Sequence, residues 1–175
     1  SKLSLRADET THHKNDSLVL YAEATNENDL NILDGRLEIL LTPLQVEKFF
    51  ESRLFLPDTL LYLQKKVDPI EETSIVIDDK AFPPINFEYN VNVKLITSDN
   101  EVITADQKLH YFYQKEDFKI DLQNDSVKFI FESNGKEQIK NVQINEVDNF
   151  GNKTLVYQGD TPARIAYNQY FSNYY

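Results

Sequence analysis

Apolar and polar residues alternate along most of this chain, which is the pattern of half-buried β-strands rather than of helices. The clearest example begins at Phe87, reaches a polar turn at Ser98-Asp99-Asn100 and resumes at Val102, as in a hairpin. Similar short strands, separated by turns rich in Asn, Asp and Gly, recur to the end of the chain. The pattern therefore predicts an all-β fold, an immunoglobulin-like antiparallel β-sandwich.

Side chains that share a face of a strand must point the same way, so the alternation also predicts a core. For the first part of the chain the predicted core residues are Leu18, Leu20, Leu37, Ile39, Tyr89, Val91 and Val93.

One stretch departs from the alternation. The strand that carries Leu41 is expected to end at Pro43, because proline cannot donate a backbone hydrogen bond to a neighbouring strand. In residues 44–57 the apolar positions recur at three- and four-residue spacing, a pattern that also fits a short helix. Its apolar positions are Val46, Phe49, Phe50 and Leu54.

A charged break, Gln114-Lys115-Glu116-Asp117, lies where a sandwich of roughly 100 residues would end. We therefore expect two domains, a first sandwich over residues 1–116 and a second sandwich module over residues 117–175. The second stretch has room for only about five strands where such a fold uses about seven. We expect it to be incomplete, with its missing strands supplied by chain downstream of Tyr175.

An incomplete sandwich would leave an apolar face and a strand edge uncovered. The residues expected on that face are Phe129, Phe131, Ile144 and Tyr167.

Composition narrows the range of functions. The net charge of −11 disfavours binding to nucleic acid or to an anionic membrane surface. There is no Cys, which excludes disulfides and thiolate chemistry, and no apolar run is long enough to span a membrane. The chain begins at Ser1 without an initiator Met, so either a leader was removed or this is an excised fragment.

Candidate metal ligands are few. His12 and His13 lie in a polar segment expected to be a turn, and His110 alternates with Leu109 and Tyr111. We expect these histidines to be exposed or partly covered at strand ends, since no Asp, Glu or His spacing resembles a zinc site. The segment 148–152 lacks the alternate oxygen ligands of a calcium loop and is expected to be a hairpin turn. No metal or other cofactor is predicted.

Candidate catalytic groups are equally sparse. The carboxylate pairs Glu71-Glu72 and Asp78-Asp79 lie in loops or at strand ends, with no apolar pocket to separate their pKa values. No Ser has the flanking glycines of a nucleophile elbow, and the four glycines form no phosphate-binding loop. No catalytic, cofactor-binding or metal-binding residue is predicted, and the chain is expected not to be an enzyme.

Two surface features leave alternatives open. The aromatic residues near the C-terminus are expected to belong to a core strand, but they could also form a stacking platform for sugar rings. They are Tyr167, Tyr170, Phe171, Tyr174 and Tyr175. The alternative function is therefore a carbohydrate-binding or adhesin-like sandwich. Asn-x-Ser/Thr triplets begin at Asn15, Asn124 and Asn152 and matter only in a host that glycosylates them.

The order of strand and turn motifs resembles the macroglobulin-like domains of bacterial alpha-2-macroglobulin-like proteins. The motifs are Asp16-Ser17-Leu18-Val19-Leu20-Tyr21, Thr25-Asn26-Glu27-Asn28, Phe55-Leu56-Pro57-Asp58-Thr59-Leu60, Glu72-Thr73-Ser74-Ile75-Val76-Ile77 with Phe82-Pro83, and Phe87-Glu88-Tyr89. The segment from Phe118 through Asn134-Gly135 and the turn at Asp148 to Pro162 is similar to the start of a second such domain.

This resemblance implies non-catalytic scaffold domains in a large extracytoplasmic protein, whether periplasmic, cell-surface or secreted. Protease trapping or envelope defence is the role it implies for the whole protein. The implied partners are other domains of the same chain, and then proteases or cell-surface proteins. The family's thioester needs a Cys beside Gly-Glu-Gln, whereas this chain offers only Gly135-Lys136-Glu137-Gln138 and no Cys.

Overall fold

The computed structural model describes residues 1–166, and in them the chain forms two compact units. The first unit spans Ser1–Gln114 and the second begins at Lys115. Within the described residues the only helical element is a single 3-10 turn at Asp79–Ala81, and all other regular structure is β. The predicted all-β sandwich class is confirmed.

Two sheets make up the first unit. Its strands are β1 (Lys2–Ala7), β2 (Thr11–His13), β3 (Leu18–Thr25), β4 (Gly35–Phe49), β5 (Leu61–Lys66), β6 (Thr73–Ile77), β7 (Ile85–Thr97) and β8 (Val102–Phe112). One sheet has the order β1-β3-β6 and the other the order β2-β8-β7-β4-β5. Neighbouring strands are antiparallel, except that β2 runs parallel to β8.

The core of the first unit lies between these sheets and follows the alternation along each strand. In β7 every second residue from Ile85 to Leu95 is fully buried, and β3 and β4 contribute matching rows. All seven predicted core residues are at most 1% exposed, so this part of the prediction is confirmed. Burial of long apolar rows from both sheets is the dominant stabilising contribution in such a sandwich.

The path of strand β4 differs from the expectation in two respects. It does not end at Pro43 but continues to Phe49, and residues 44–49 are strand rather than helix. The Leu41 carbonyl accepts a hydrogen bond from the backbone N–H of Leu60, so the backbone polar groups of Leu41 face β5. Pro43 lies two residues on and faces the same way, beyond the last β4–β5 pair. Its missing N–H therefore costs no ladder hydrogen bond, and the strand continues through two register shifts against β7.

The second unit is built around one central strand. Its strands are β9 (Glu116–Leu122), β10 (Ser126–Ser133), β11 (Lys136–Gln138), β12 (Asn141–Val147), β13 (Lys153–Asp160) and β14 (Ala163–Ala166). Strand β9 pairs with one edge of β10, while the short strands β14 and β11 pair with different parts of β10. Strands β12 and β13 form a separate hairpin.

The second unit differs in two respects from the expectation. Within residues 115–166 it has six strands rather than about five, because β11 and β14 are only three and four residues long. Three residues expected on an uncovered face, Phe129, Phe131 and Ile144, are instead 4–9% exposed. Phe129 and Ile144 belong to one apolar cluster that also includes Val127 and Ala163. The fourth residue, Tyr167, lies outside the described residues.

Candidate functional site

His12 lies in the core of the first unit, contrary to the expectation of an exposed turn. Residues 11–13 pair with β8, and this places the His12 ring against Phe82, Tyr89 and Tyr111, with centroids 4.8–5.7 Å away. His12 is 3% exposed, and its Nε2 lies 2.6 Å from the Tyr89 hydroxyl. The segment looked like a turn because its sequence is polar, whereas pairing with an edge strand decided its conformation.

Burial controls the ionisation of this ring cluster. It lowers the pKa of His12 to about 4, and it raises the pKa of both Tyr89 and Tyr111. Tyr111 donates a hydrogen bond to Asp79 Oδ1 at 3.0 Å. At neutral pH the cluster therefore holds a neutral imidazole and protonated phenols, which pack and hydrogen-bond within the core.

The other histidines are at the surface of the same sheet. His13 stacks on Phe112, and His110 stacks on Phe112 with centroids 4.3 Å apart. His110 Nε2 lies 3.0 Å from a carboxylate oxygen of Glu47. Within residues 1–166 no group of three or more His, Asp or Glu side chains is placed to hold a metal ion.

The segment 148–152 is the turn of the β12–β13 hairpin, as predicted. Asp148 Oδ1 accepts hydrogen bonds from the backbone N–H groups of Phe150 and Asn152, and Asn152 Nδ2 donates to Oδ2. These bonds lower the pKa of Asp148, with those from Asn152 contributing most. The carboxylate organises the turn. Gly135 likewise lies in the tight β10–β11 turn, with a φ of 76°.

Three of the four paired carboxylates, Glu72, Asp78 and Asp79, have separate structural partners. Glu72 accepts two hydrogen bonds from the Arg6 guanidinium, each at 3.1 Å, on the exposed side of β1 and β6. The Asp78 carboxylate accepts a hydrogen bond from the backbone N–H of Lys80 at the start of the 3-10 turn. The Asp79 carboxylate accepts one from the Tyr111 hydroxyl. Each of these carboxylates thus has a role in local structure.

The second unit contains an apolar groove. It has a volume of about 420 Å³ and lies between the apolar side chains of β9 and the strand β12. Its lining residues are Phe118, Ile120, Phe129, Val142, Gln143, Ile144, Asn145 and Thr161. On β9, Phe118 is 53% exposed, Ile120 is 56% exposed and Leu122 is 72% exposed. These three large apolar side chains form an exposed row along β9.

Sequence reasoning placed an uncovered face in this unit but assigned it to the wrong strands. The alternation of Phe118, Ile120 and Leu122 looks like that of any core strand. Only the position of the β12–β13 hairpin decides which strand of the sheet is covered. The aromatic residues proposed for sugar stacking, from Tyr167 to Tyr175, lie outside the described residues.

Comparisons with known proteins support the fold but not a close relationship. No protein-family model matches the chain, and no curated protein matches it either. Solved structures do match. Escherichia coli alpha-2-macroglobulin activated by porcine elastase aligns with a TM-score of 0.54 and 11% identity over 95% of this chain and 18% of that one.

Two further structures give the same result. Trypsin-activated alpha-2-macroglobulin from Escherichia coli aligns with a TM-score of 0.51 and 9% identity, over 95% of this chain and 15% of that one. Salmonella alpha-2-macroglobulin reacted with methylamine aligns with a TM-score of 0.51 and 10% identity, over 95% and 14%.

This chain therefore belongs to the structural class of all-β sandwiches. The particular fold is the one found in part of the bacterial alpha-2-macroglobulins, and the chain spans less than a fifth of the length of these three structures. Within residues 1–166 no helix is long and apolar enough to cross a membrane.

Proposed function

We propose that this chain supplies two non-catalytic β-sandwich domains, residues 1–116 and 117–175, to a larger extracytoplasmic protein of the alpha-2-macroglobulin type. One observation carries the proposal. The similarity extends over 95% of this chain, yet it accounts for only 14–18% of the length of the matched proteins named above. This coverage supports a chain that forms a few modules of a longer protein.

The environments of the titratable side chains in the first unit are consistent with a scaffold role. His12, Tyr89 and Tyr111 are buried among aromatic rings, and Asp79 is bonded to one of them. These groups stabilise the sandwich from within. In a protease-trapping protein, domains of this kind would hold the shape of the whole molecule, and their partners would be neighbouring domains of the same chain. Contacts with proteases or cell-surface proteins would be made by the assembly.

The first test concerns the gene. We expect the reading frame that encodes this chain to continue into further β-sandwich modules and to begin with an export signal, because scaffold domains work as part of a series. Sequencing the flanking DNA measures this directly. An initiator codon immediately before Ser1 together with a stop codon immediately after Tyr175 would contradict the proposal.

A second measurement separates this proposal from the carbohydrate-binding alternative. We expect the purified 175-residue chain to bind no glycan on an array of plant, animal and bacterial sugars. The matched control is a chain in which Tyr170 and Tyr174 are replaced by Ser, which should give the same blank result. Binding by the original chain that the double variant loses would favour the carbohydrate-binding function instead.

A further inference from the structure

Strand β9 lies at the edge of its sheet. Within residues 1–166 it pairs with β10 alone, so its other edge, here called the open edge, has no partner strand, and all seven of its residues are exposed. Phe118, Ile120 and Leu122 lie on one face of the strand at 53–72% exposure. Lys119 and Asp121 lie on the other face. An exposed strand edge of this kind can pair with a strand of another chain.

The backbone groups at the open edge belong to the apolar residues of β9. Beside the β9–β10 turn the Gln123 N–H donates to the Ser126 carbonyl, and at the other end of the pair the Asn134 N–H donates to the Lys115 carbonyl. In an antiparallel pair the backbone polar groups of successive residues point alternately towards the partner and away from it. The odd-numbered residues of β9 therefore bond to β10. The even-numbered residues, which include the three apolar ones, direct their N–H and C=O groups to the open edge.

The sequence of β9 is complementary to itself when two copies run antiparallel. With Ile120 of one copy opposite Ile120 of the other, Phe118 of each copy lies opposite Leu122 of its partner. The same register places Lys119 of each copy opposite Asp121 of the other. Opposed residues share a face, so apolar side chains meet on one face and opposite charges meet on the other. The charged pairs fall at the positions without backbone hydrogen bonds, where opposed side chains approach most closely.

Other registers lack this match. Centring the pair on Lys119 places that residue opposite its own copy, and centring it on Asp121 does the same for the carboxylate, so like charges meet. Centring the pair on Phe118 places Ile120 opposite Glu116. The register centred on Ile120 is therefore the one favoured by both the charges and the apolar side chains.

Both charged side chains can reach across the open edge. Lys119 Nζ lies 3.0 Å from Glu132 Oε2, but the Lys119 side chain is 58% exposed and its ammonium group has three donors. Asp121 is exposed and lies opposite Lys128 on β10. Exposed ion pairs contribute little to affinity, so the Lys119–Asp121 pairs would act mainly by selecting the register and excluding other strands.

We propose that the open edge of β9 is a homodimerisation surface, at which two copies of the second unit join their sheets through an antiparallel β9–β9 pair centred on Ile120. A two-fold axis at Ile120 makes the contact isologous, so it closes as a dimer. The partner is a second copy because the order of apolar and charged residues matches that of β9 itself. One strand pair is a small interface, and the dimer is therefore weak and reversible. It is a property of the second unit and does not depend on the scaffold role proposed above.

Charge reversal tests the contact in the 175-residue chain. Sedimentation equilibrium should show a reversible monomer–dimer equilibrium for the original chain. Lys119→Asp should weaken dimerisation by about tenfold or more, because carboxylates then face each other twice, and Asp121→Lys should do the same with ammonium groups. An equimolar mixture of the two variants should dimerise about as well as the original chain, since the carboxylates of one variant face the ammonium groups of the other.

Cross-linking tests the register. The chain has no Cys, so a single introduced Cys can form a disulfide only between two copies. The Cα atoms of opposed residues at a hydrogen-bonded position are about 5.5 Å apart, which suits a disulfide. In a glutathione redox buffer, Ile120→Cys should therefore give at least about tenfold more cross-linked dimer than the control Val76→Cys. Val76 is 60% exposed on β6, an edge strand of the first unit.

Three results would overturn the proposal. The first is an original chain that stays monomeric at every concentration up to its solubility limit. The second is a dimer that is equally stable in both charge variants, since the contact would then lie elsewhere on the chain. The third is equal cross-linking of Ile120→Cys and Val76→Cys, a measurement that stands even if a charge variant fails to fold.

Discussion

Replacing Phe87 by alanine is expected to lower the free energy of unfolding of the first unit by about 3–5 kcal/mol. Phe87 is 0% exposed on the central strand β7, and its ring lies 5.5–6.5 Å from the rings of Phe82, Tyr89 and Tyr111. Truncation removes the apolar contacts and leaves a cavity that neighbouring rigid strands fill only in part. Urea unfolding followed by circular dichroism measures the change.

Phe55→Ala serves as the control in the same unit. The Phe55 side chain is 84% exposed, so its removal should change the free energy of unfolding by no more than about 0.5 kcal/mol. A similar loss for both variants, or a loss below about 1 kcal/mol for Phe87→Ala, would mean that the aromatic cluster does not form the centre of this core.

The first unit should also lose stability as the solution is acidified from about pH 6.5 towards pH 4. Burial lowers the pKa of His12 in the folded state to about 4, against its ordinary 6.5. The charges of Asp16 and Asp79 oppose this shift and that of His13 adds to it, but burial is the largest cause. Between these pH values the unfolded chain binds a proton on this residue that the folded chain does not.

The loss follows from that difference in bound protons. At about 1.4 kcal/mol per pH unit, the lowering of the His12 pKa from 6.5 to about 4 corresponds to about 3–4 kcal/mol, of which about 2 kcal/mol is lost by pH 5. Urea unfolding at pH 7 and pH 5 measures it. In His12→Gln most of this difference should vanish, even though the variant is less stable at pH 7. In His110→Gln, which leaves His12 in place, the difference should persist. An unchanged pH dependence in His12→Gln would rule out this residue as its source.

The order of residues along the chain predicted those parts of the fold whose conformation depends only on neighbouring residues. The core rows of β3, β4 and β7 could be assigned from alternation, because consecutive side chains of any strand point to opposite faces. The turns at Asn100, Asn134 and Asp148 could be assigned as well. Asn100 and Asn134 adopt positive φ, and Asp148 binds backbone N–H groups two and four residues on.

The candidate site was less accessible to such reasoning. That the second unit carries an uncovered apolar face could be expected from its length, but the residues on that face could not. Phe118 and Phe129 have the same alternating pattern, and one is 53% exposed while the other is 8% exposed. Which of two paired strands is covered depends on where a distant hairpin packs, and no local signal encodes that.

The sequence by itself determined the all-β class and the core faces, since these follow from a two-residue period that needs no partner to be recognised. Tertiary structure alone decided the path of β4 through Pro43, the burial of His12 and the exposure of the apolar side chains on β9. Each of these depends on a pairing between segments far apart in the chain. Pro43 extends beyond the end of β5, His12 pairs beside β8, and β9 lies outside the cover of β12 and β13. The burial of a side chain is set by such long-range neighbours. The same apolar side chain belongs to a core when another strand packs over it and is exposed when none does.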